Sequence, residues 1–169
     1  GLGDVYKRQC EQIRAIVNAS IPVVAHLGMT PQSVNTLGGF KVQGKTADAA
    51  RQLLEDAKAV EEAGAFALVM ECVPAKLAAL VTKTLHIPTI GIGAGAGCDG
   101  QVLVYQDMLG MFSDYRPKFV RKFAEVGKVM QEAFASYRSE IQEGNFPTEE
   151  HSFAISDEVM AQLEQEAQA

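Results

Sequence analysis

The sequence predicts an α/β fold built on parallel strands, and three observations carry that prediction. Short apolar runs alternate with segments of helical periodicity along most of the chain, the pattern of βα units around a parallel sheet. Pro and Gly punctuate the runs and set their ends. The C-terminal end of every predicted strand carries a polar or glycine residue: His26, Glu71, Gly93 with Gly95, and Asp107. A (β/α)8 TIM barrel assembles its site at that face from several strand ends. A doubly wound sheet usually concentrates its site at one switch point, so the distribution favours a barrel.

The elements follow in order. Gly1–Gln9 has no initiating Met and no periodicity, and reads as a foreign leader of adapter or vector type attached to a fragment. Ile13, Ile16 and Val17 have helical spacing within 10–19. Ile21–Gly28 is a short apolar run ending in Gly, with Pro22 near its start, and reads as a buried strand. Residues 28–45, with Gly28, Gly38, Gly39, Gly44 and Pro31, form a long loop, and loops of this length are usually functional. Thr46 is placed to cap a helix whose apolar face is Leu53, Leu54, Ala57, Val60 and Ala63, with Gly64 as its stop.

Phe66–Val73 is the most apolar strand and carries one carboxylate, Glu71. A helix follows over 75–85 with Leu77, Leu80, Val81 and Leu85 facing inward, then a third strand over 87–93. Gly91–Gly100 is a glycine-rich turn, and Gln101–Asp107 reads as a fourth strand. Pro117 suits the first turn of a long helix running to Ile141 and stopped by Gly144. Ser156 caps a final amphipathic helix, so 154–169 reads as a helical tail behind a single domain over 10–153.

Composition bounds the function. With 47% hydrophobic and 21% charged residues the chain is globular rather than disordered. A net charge of −6 with scattered Lys and Arg argues against nucleic-acid binding. No apolar stretch has the length of a membrane span, and no signal peptide is evident. Three cysteines without metal-type spacing suit a reducing cytoplasm.

An unpaired charge inside an apolar strand costs several kcal/mol to bury, so Glu71 needs a partner, a shifted pKa or a chemical role. From the strand alone it is equally a structural acid paired with a basic side chain or a catalytic base. His26, on spacing alone, reads as a satisfied core histidine. Asp107 reads as a cap for the turn at 108–110, and Cys72 as a packed, inert thiol. Gly95–Gly100 matches G-x-G-x-x-G, but a strand pattern follows it instead of a helix, so no helix N-terminus is offered to a pyrophosphate. A tight turn that lets substrate approach the backbone is the better reading.

These residues resemble the ketopantoate hydroxymethyltransferase family over about 10–153. The resemblance rests on His26–Asn35 with Gly38–Gly39 and 41–44, on Leu68–Pro74, on Ile90–Gly95 with Asp99–Gln101, and on Pro117–Phe119 and Glu150–Phe153. Ala25, where the family commonly has Gly, is a departure. The resemblance implies a (β/α)8 barrel of which this chain holds roughly the C-terminal half, strands five to eight. It implies transfer of a hydroxymethyl group from 5,10-methylenetetrahydrofolate to 3-methyl-2-oxobutanoate with Mg²⁺, a step of pantothenate biosynthesis. Glu71 falls on the family's proton acceptor and His26 on a strand-end histidine near the 2-oxo acid.

By the same resemblance the Mg²⁺ ligands lie in the absent half. The isolated chain is then expected to be inactive, to expose sheet edges, and to form homo-oligomers only at full length. Two other readings were weighed. One is a Mg²⁺-dependent carbon–carbon lyase or mutase of 2-oxo acids, which the 31–44 loop sequence argues against. The other is a non-catalytic half-barrel that pairs with a complementary half.

Overall fold

The computed structural model describes residues 2–31, Gly39, 41–111 and 116–167, with side chains from Gln9 onward. Residues 32–38 and 40 lie outside the described residues. So most of the predicted 28–45 loop, Gly38 included, is not placed.

Four strands, β1 (Val24–Gly28), β2 (Ala67–Glu71), β3 (Thr89–Ile92) and β4 (Gly100–Gln101), form one parallel sheet in the order β1-β2-β3-β4. Helix α1 (Leu2–Asn18) precedes β1, α2 (Ala47–Glu62) joins β1 to β2, and α3 (Ala75–Thr84) joins β2 to β3. The predicted parallel α/β class is therefore observed.

Register separates the two faces of the sheet. Ala25 pairs with Leu68 and Leu27 with Met70, and all four join Leu53, Ala57 and Val60 of α2 and Ala78 and Val81 of α3 in one buried core. Side chains alternate between faces along a strand. Hence His26 and Val69, one residue on, stand on the opposite face, as do Glu71 and Ile92. Val24 on that face is 46% exposed. The core is thus built on one side of the sheet, and the strand-end polar groups stand on the other.

Local chemistry fixes the ends as the sequence predicts. Thr46 accepts a hydrogen bond from Ala49 N–H at 3.2 Å and caps α2. Gly64 takes the left-handed conformation just past that helix, at φ +101°. The carboxylate of Glu61 accepts from His86 N–H at 2.6 Å and Ile87 N–H at 2.9 Å, tying the end of α2 to the entry of β3. Burial alone would raise the Glu61 carboxyl, but these two donors outweigh it and hold it below its ordinary value. Thr89 is fully buried. Its N–H and hydroxyl both donate to Asp99 Oδ2, at 2.8 and 3.0 Å, its Oγ1 accepts from Asp99 N–H at 3.3 Å, and Thr82 Oγ1 lies 2.8 Å away. This network clasps the glycine turn to the base of β3. Gly95 and Gly97 of the turn lie against Ala75 and Ala79, close enough that a Cβ on either would stand 2.4 or 2.6 Å from the alanine methyl.

Several expectations are corrected. Helix α1 starts at Leu2 and not near Cys10, so most of the segment read as an aperiodic leader is helical. Extending an existing helix costs far less than starting one. The fourth strand is only Gly100–Gln101, extended by Val102 N–H donating to Gly91 O at 3.0 Å. Chain 102–104 then leaves the sheet and 105–108 turns into a short helix, α4, that contains Asp107. No strand pairs with the far side of β4 among the described residues, so the apolar run has nothing to hold it extended. Pro117 does not start the long helix: residues 117–125 form turns, and α5 spans Val126–Glu143. The turn is held where Phe119 covers Gly93 and Val120 is buried. Leu80 is half-exposed instead of facing inward. The Gly144 stop (φ +73°) and the Ser156 cap of α6 (Asp157–Ala167) stand as predicted.

Two tests follow from the clasps. Thr89→Val keeps the β-branched shape but strands the groups that its hydroxyl partners, so urea unfolding is expected to show a loss of about 1–3 kcal/mol. Glu61→Ala removes two buried backbone acceptor contacts and is expected to cost about 1–3 kcal/mol near neutrality. Because the folded state holds the Glu61 carboxyl low, its contribution is complete above the unfolded value of about 4.3 and is lost as pH falls through the folded value. The difference between the unfolding free energies of the unaltered chain and the variant is therefore expected to shrink with acidification.

Candidate active site

Glu71 ends β2 at the mouth of a cleft of about 440 Å³. Met29, Val42, Ile92, Val104 and Phe119 make most of its wall, and Glu71, Cys72, Asp107 and Lys118 are its polar and ionisable members. Glu71 sits there because the strand period places it on the face away from the helices, one step beyond Met70, which is fully buried in the core.

The backbone around Glu71 is unusually constrained. The Glu71 carbonyl accepts from Met29 N–H at 2.9 Å, and the Cys72 carbonyl accepts from Gln43 N–H at 2.9 Å. Both described ends of the long loop are therefore tied to the two peptides that carry and follow Glu71. Gly28, at φ +95°, makes the first tie possible: a Cβ there would stand 2.2 Å from the Glu71 carbonyl oxygen. Cys72 itself has φ +52°, in the left-handed region that side chains other than Gly and Asn seldom occupy. Its N–H donates to Ile92 O at 2.9 Å, which holds it there. Backbone strain of this kind, fixed by surrounding bonds, is characteristic of functional sites.

His26 reaches Glu71 from the neighbouring strand, with Nε2 at 3.1 Å from Oε2. The angles are not those of a hydrogen bond, and the solvent-shielded Nε2 has no other hydrogen-bond partner among the described residues. Proximity would favour a charged pair. Burial acts the other way on both groups, pushing the Glu71 carboxyl up and the His26 imidazole down. Without an aligned bond to offset it, burial prevails and the neutral forms gain. Burial also raises the Cys72 thiol, and the neighbouring Glu71 charge adds to the effect, which agrees with an inert thiol.

The two residues singled out in the sequence are thus brought into contact, but they do not line the same cavity. His26 lines a second groove of about 390 Å³ between α1 and the edge strand β1, with Gln12, Ile16 and Thr30 among its walls. Asp107, expected only to cap a turn, lines the larger cleft with Glu71. Its place could not be read from the sequence, because it depends on α4 replacing the C-terminal part of the predicted strand. The glycine turn is followed by the short strand β4 and not by a helix, so the G-x-G-x-x-G pattern is no dinucleotide site.

The Mg²⁺ that the resemblance implies does not fit the residues present. Among the described residues no group of three or more His, Cys, Asp or Glu side chains is placed to hold a metal ion, and nothing below is derived through one. No helix among them is long and apolar enough to cross a membrane.

Comparison with known proteins agrees with this arrangement. The sequence profile described as ketopantoate hydroxymethyltransferase matches residues 4–149, taking in part of the segment read as a leader and stopping just short of Glu150–Phe153. The chain is 67% identical over 153 residues to a Clostridium novyi protein named 3-methyl-2-oxobutanoate hydroxymethyltransferase, covering 90% of this chain and 56% of that protein. Proteins of the same name from Enterococcus faecalis and Clostridioides difficile are 64% and 58% identical, each again covered over 56% of its length. The chain therefore spans a little over half the length of these curated relatives. With most of its length matched by that profile, the chain belongs to the ketopantoate hydroxymethyltransferase family.

Proposed function

We propose that this chain carries the proton-abstracting half of a 3-methyl-2-oxobutanoate hydroxymethyltransferase, with Glu71 as the base. The observation that carries the reading is the placement of Glu71: a half-buried carboxylate, raised by burial, at a strand end facing a large apolar cleft. Relatives bearing that activity in their names support the substrate class.

The chemistry needs such a group. Forming a carbon–carbon bond next to the ketone begins with removal of the proton on C3, the methine carbon of the oxo acid. A carboxylate shifted upward from the ordinary range is a stronger base toward that carbon acid. The C–H pair then becomes the enolate π bond, and the enolate carbon attacks the methylene carbon delivered by 5,10-methylenetetrahydrofolate. Water supplies the hydroxyl oxygen, and 2-dehydropantoate and tetrahydrofolate leave. His26, neutral through burial and 3.1 Å from Oε2, orients the carboxylate and lies near the oxo acid. The 28–45 loop, tied at both described ends to the Glu71–Cys72 backbone, closes over the cleft and keeps water from the one-carbon donor.

The architecture of the whole protein belongs to the same reading. Four parallel strands in sequential order with helices on one face suit four consecutive units of a (β/α)8 barrel, the C-terminal half of it. The other units, the Mg²⁺ ligands and the contacts of a homo-oligomer are assigned to the remainder of the protein's length. A cytoplasmic setting fits three free cysteines.

The test uses a chimera in which this chain replaces the matching segment of the Clostridium novyi relative. Glu71→Gln is expected to lower kcat by about 10²- to 10⁴-fold and to abolish deuterium exchange at C3 of 3-methyl-2-oxobutanoate, with the unfolding midpoint retained. Full exchange in that variant would remove Glu71 from the role. Since the base works ionised and burial raises its pKa, the acid limb of the kcat/KM profile is expected above the ordinary glutamate value of about 4.3. Activity that persists undiminished down to that value would contradict the assigned environment.

A further inference from the structure

The cleft is larger than a small branched 2-oxo acid needs, and its far side has its own chemistry. A volume of about 440 Å³ lies in the range of sites for drug-sized ligands, roughly 300–1,000 Å³. Beyond Glu71 the wall is apolar, with the Phe119 ring and the Val104 and Val42 side chains. Asp107 on α4 and Lys118 on the following turn are the ionisable groups added there. A second carboxylate is a poor neighbour for the carboxylate of an oxo acid, because like charges repel in a partly buried site. It suits a ligand that is flat, largely apolar and edged with N–H donors.

We propose that the Asp107 side of this cleft seats the reduced pterin of the one-carbon donor. The inference rests on the function proposed above. A pterin presents a ring N–H and an adjacent amino group in parallel, and a carboxylate accepts both, one on each oxygen. Phe119, Val104 and Val42 cover the ring faces, which are apolar and need no partner. The exposed Lys118 at the rim pairs with the carboxylates of the donor's glutamate tail, which remain in water. The seat brings the donor's methylene carbon to the cleft that Glu71 faces, where the enolate carbon forms.

The probes are tetrahydrofolate and 6-methyltetrahydropterin, which keeps the ring and lacks the tail. Their dissociation constants are measured on the chimera by anaerobic titration calorimetry. Asp107→Asn, which retains the shape but replaces one acceptor by a donor, is expected to weaken both by about ten- to a hundredfold. Lys118→Met is expected to weaken tetrahydrofolate only. Asp107→Ser serves as a second variant, and unfolding midpoints are recorded for all three. Undiminished tetrahydropterin binding in both folded Asp107 variants, or equal loss of both probes in Lys118→Met, overturns the seat. Deuterium exchange at C3 by the unaltered chimera, measured without any pterin, tests the acid–base reading separately. Exchange without pterin binding sinks the seat alone, and pterin binding without exchange sinks the role of Glu71 alone.

Discussion

The pair of carbonyls at Glu71 and Cys72 is the constraint on which the site depends. Each accepts one loop N–H, from Met29 and Gln43 at 2.9 Å, and both acceptors are consecutive in the chain. Consecutive carbonyls of a strand point to opposite edges, so a straight strand could not present both to one loop. The left-handed turn at Cys72, φ +52°, reorients the second. That conformation is costly for a residue with a Cβ, and it persists because Cys72 N–H is held by Ile92 O. Gly28 completes the arrangement, since any side chain there would meet the Glu71 carbonyl at 2.2 Å. Strand end, loop entry and loop exit are thereby one mechanical unit around a single carboxylate.

The electrostatics follow from which face of the sheet is covered. Helices α2 and α3 bury Ala25, Leu27, Leu68 and Met70, and these residues supply the cohesion. Glu71 and His26 stand on the reverse face, and burial is the leading cause of both shifts. The His26 side chain is still 33% exposed and that of Glu71 12%. Since desolvation acts in proportion to the water removed, any additional cover on this face drives the carboxyl further up and the imidazole further down. The direction of tuning is set by the strand period, and its extent by what lies over the face.

Much of this was legible because local rules and packing agreed. Strand β2 combined an apolar run, a Pro stop and one carboxylate, and only a parallel strand satisfies all three. Thr46 and Gly64 marked the ends of α2 through backbone donors and a positive φ that few residues can serve. The misreadings share a cause. Gln101–Asp107 had a strand-like composition, yet strands need partners, and pairing ends at Val102. Likewise Pro117 is a good first helical residue, but Phe119 and Val120 are drawn to Gly93 and the core, and a helix from Pro117 would swing them away. Where tertiary contact competes with propensity over a few residues, contact wins, and no sequence period records it. The contact of His26 with Glu71 was equally hidden, because it depends on the register that sets Gly28 beside Glu71.

The same competition explains why Asp107 matters. Had the fourth strand continued to Asp107, strand alternation would have placed its carboxylate by parity with Tyr105, and the chain would have run on along the sheet. Instead the ladder stops and the chain turns at Tyr105. The short helix it forms is closed by Leu109 N–H on Tyr105 O and Met111 N–H on Gln106 O, which brings Asp107 onto the wall of the Glu71 cleft. Lys118 and Phe119 arrive on the same wall because 117–125 makes turns where a helix was expected. Phe123 N–H and Val126 N–H bond back to Met108 and Leu109 at 2.8 and 2.9 Å, so the two departures from regular structure brace each other. The cleft's far wall is therefore made by the segments whose local preferences were overridden, and overriding a preference is sustained only where the resulting bonds and contacts outweigh it.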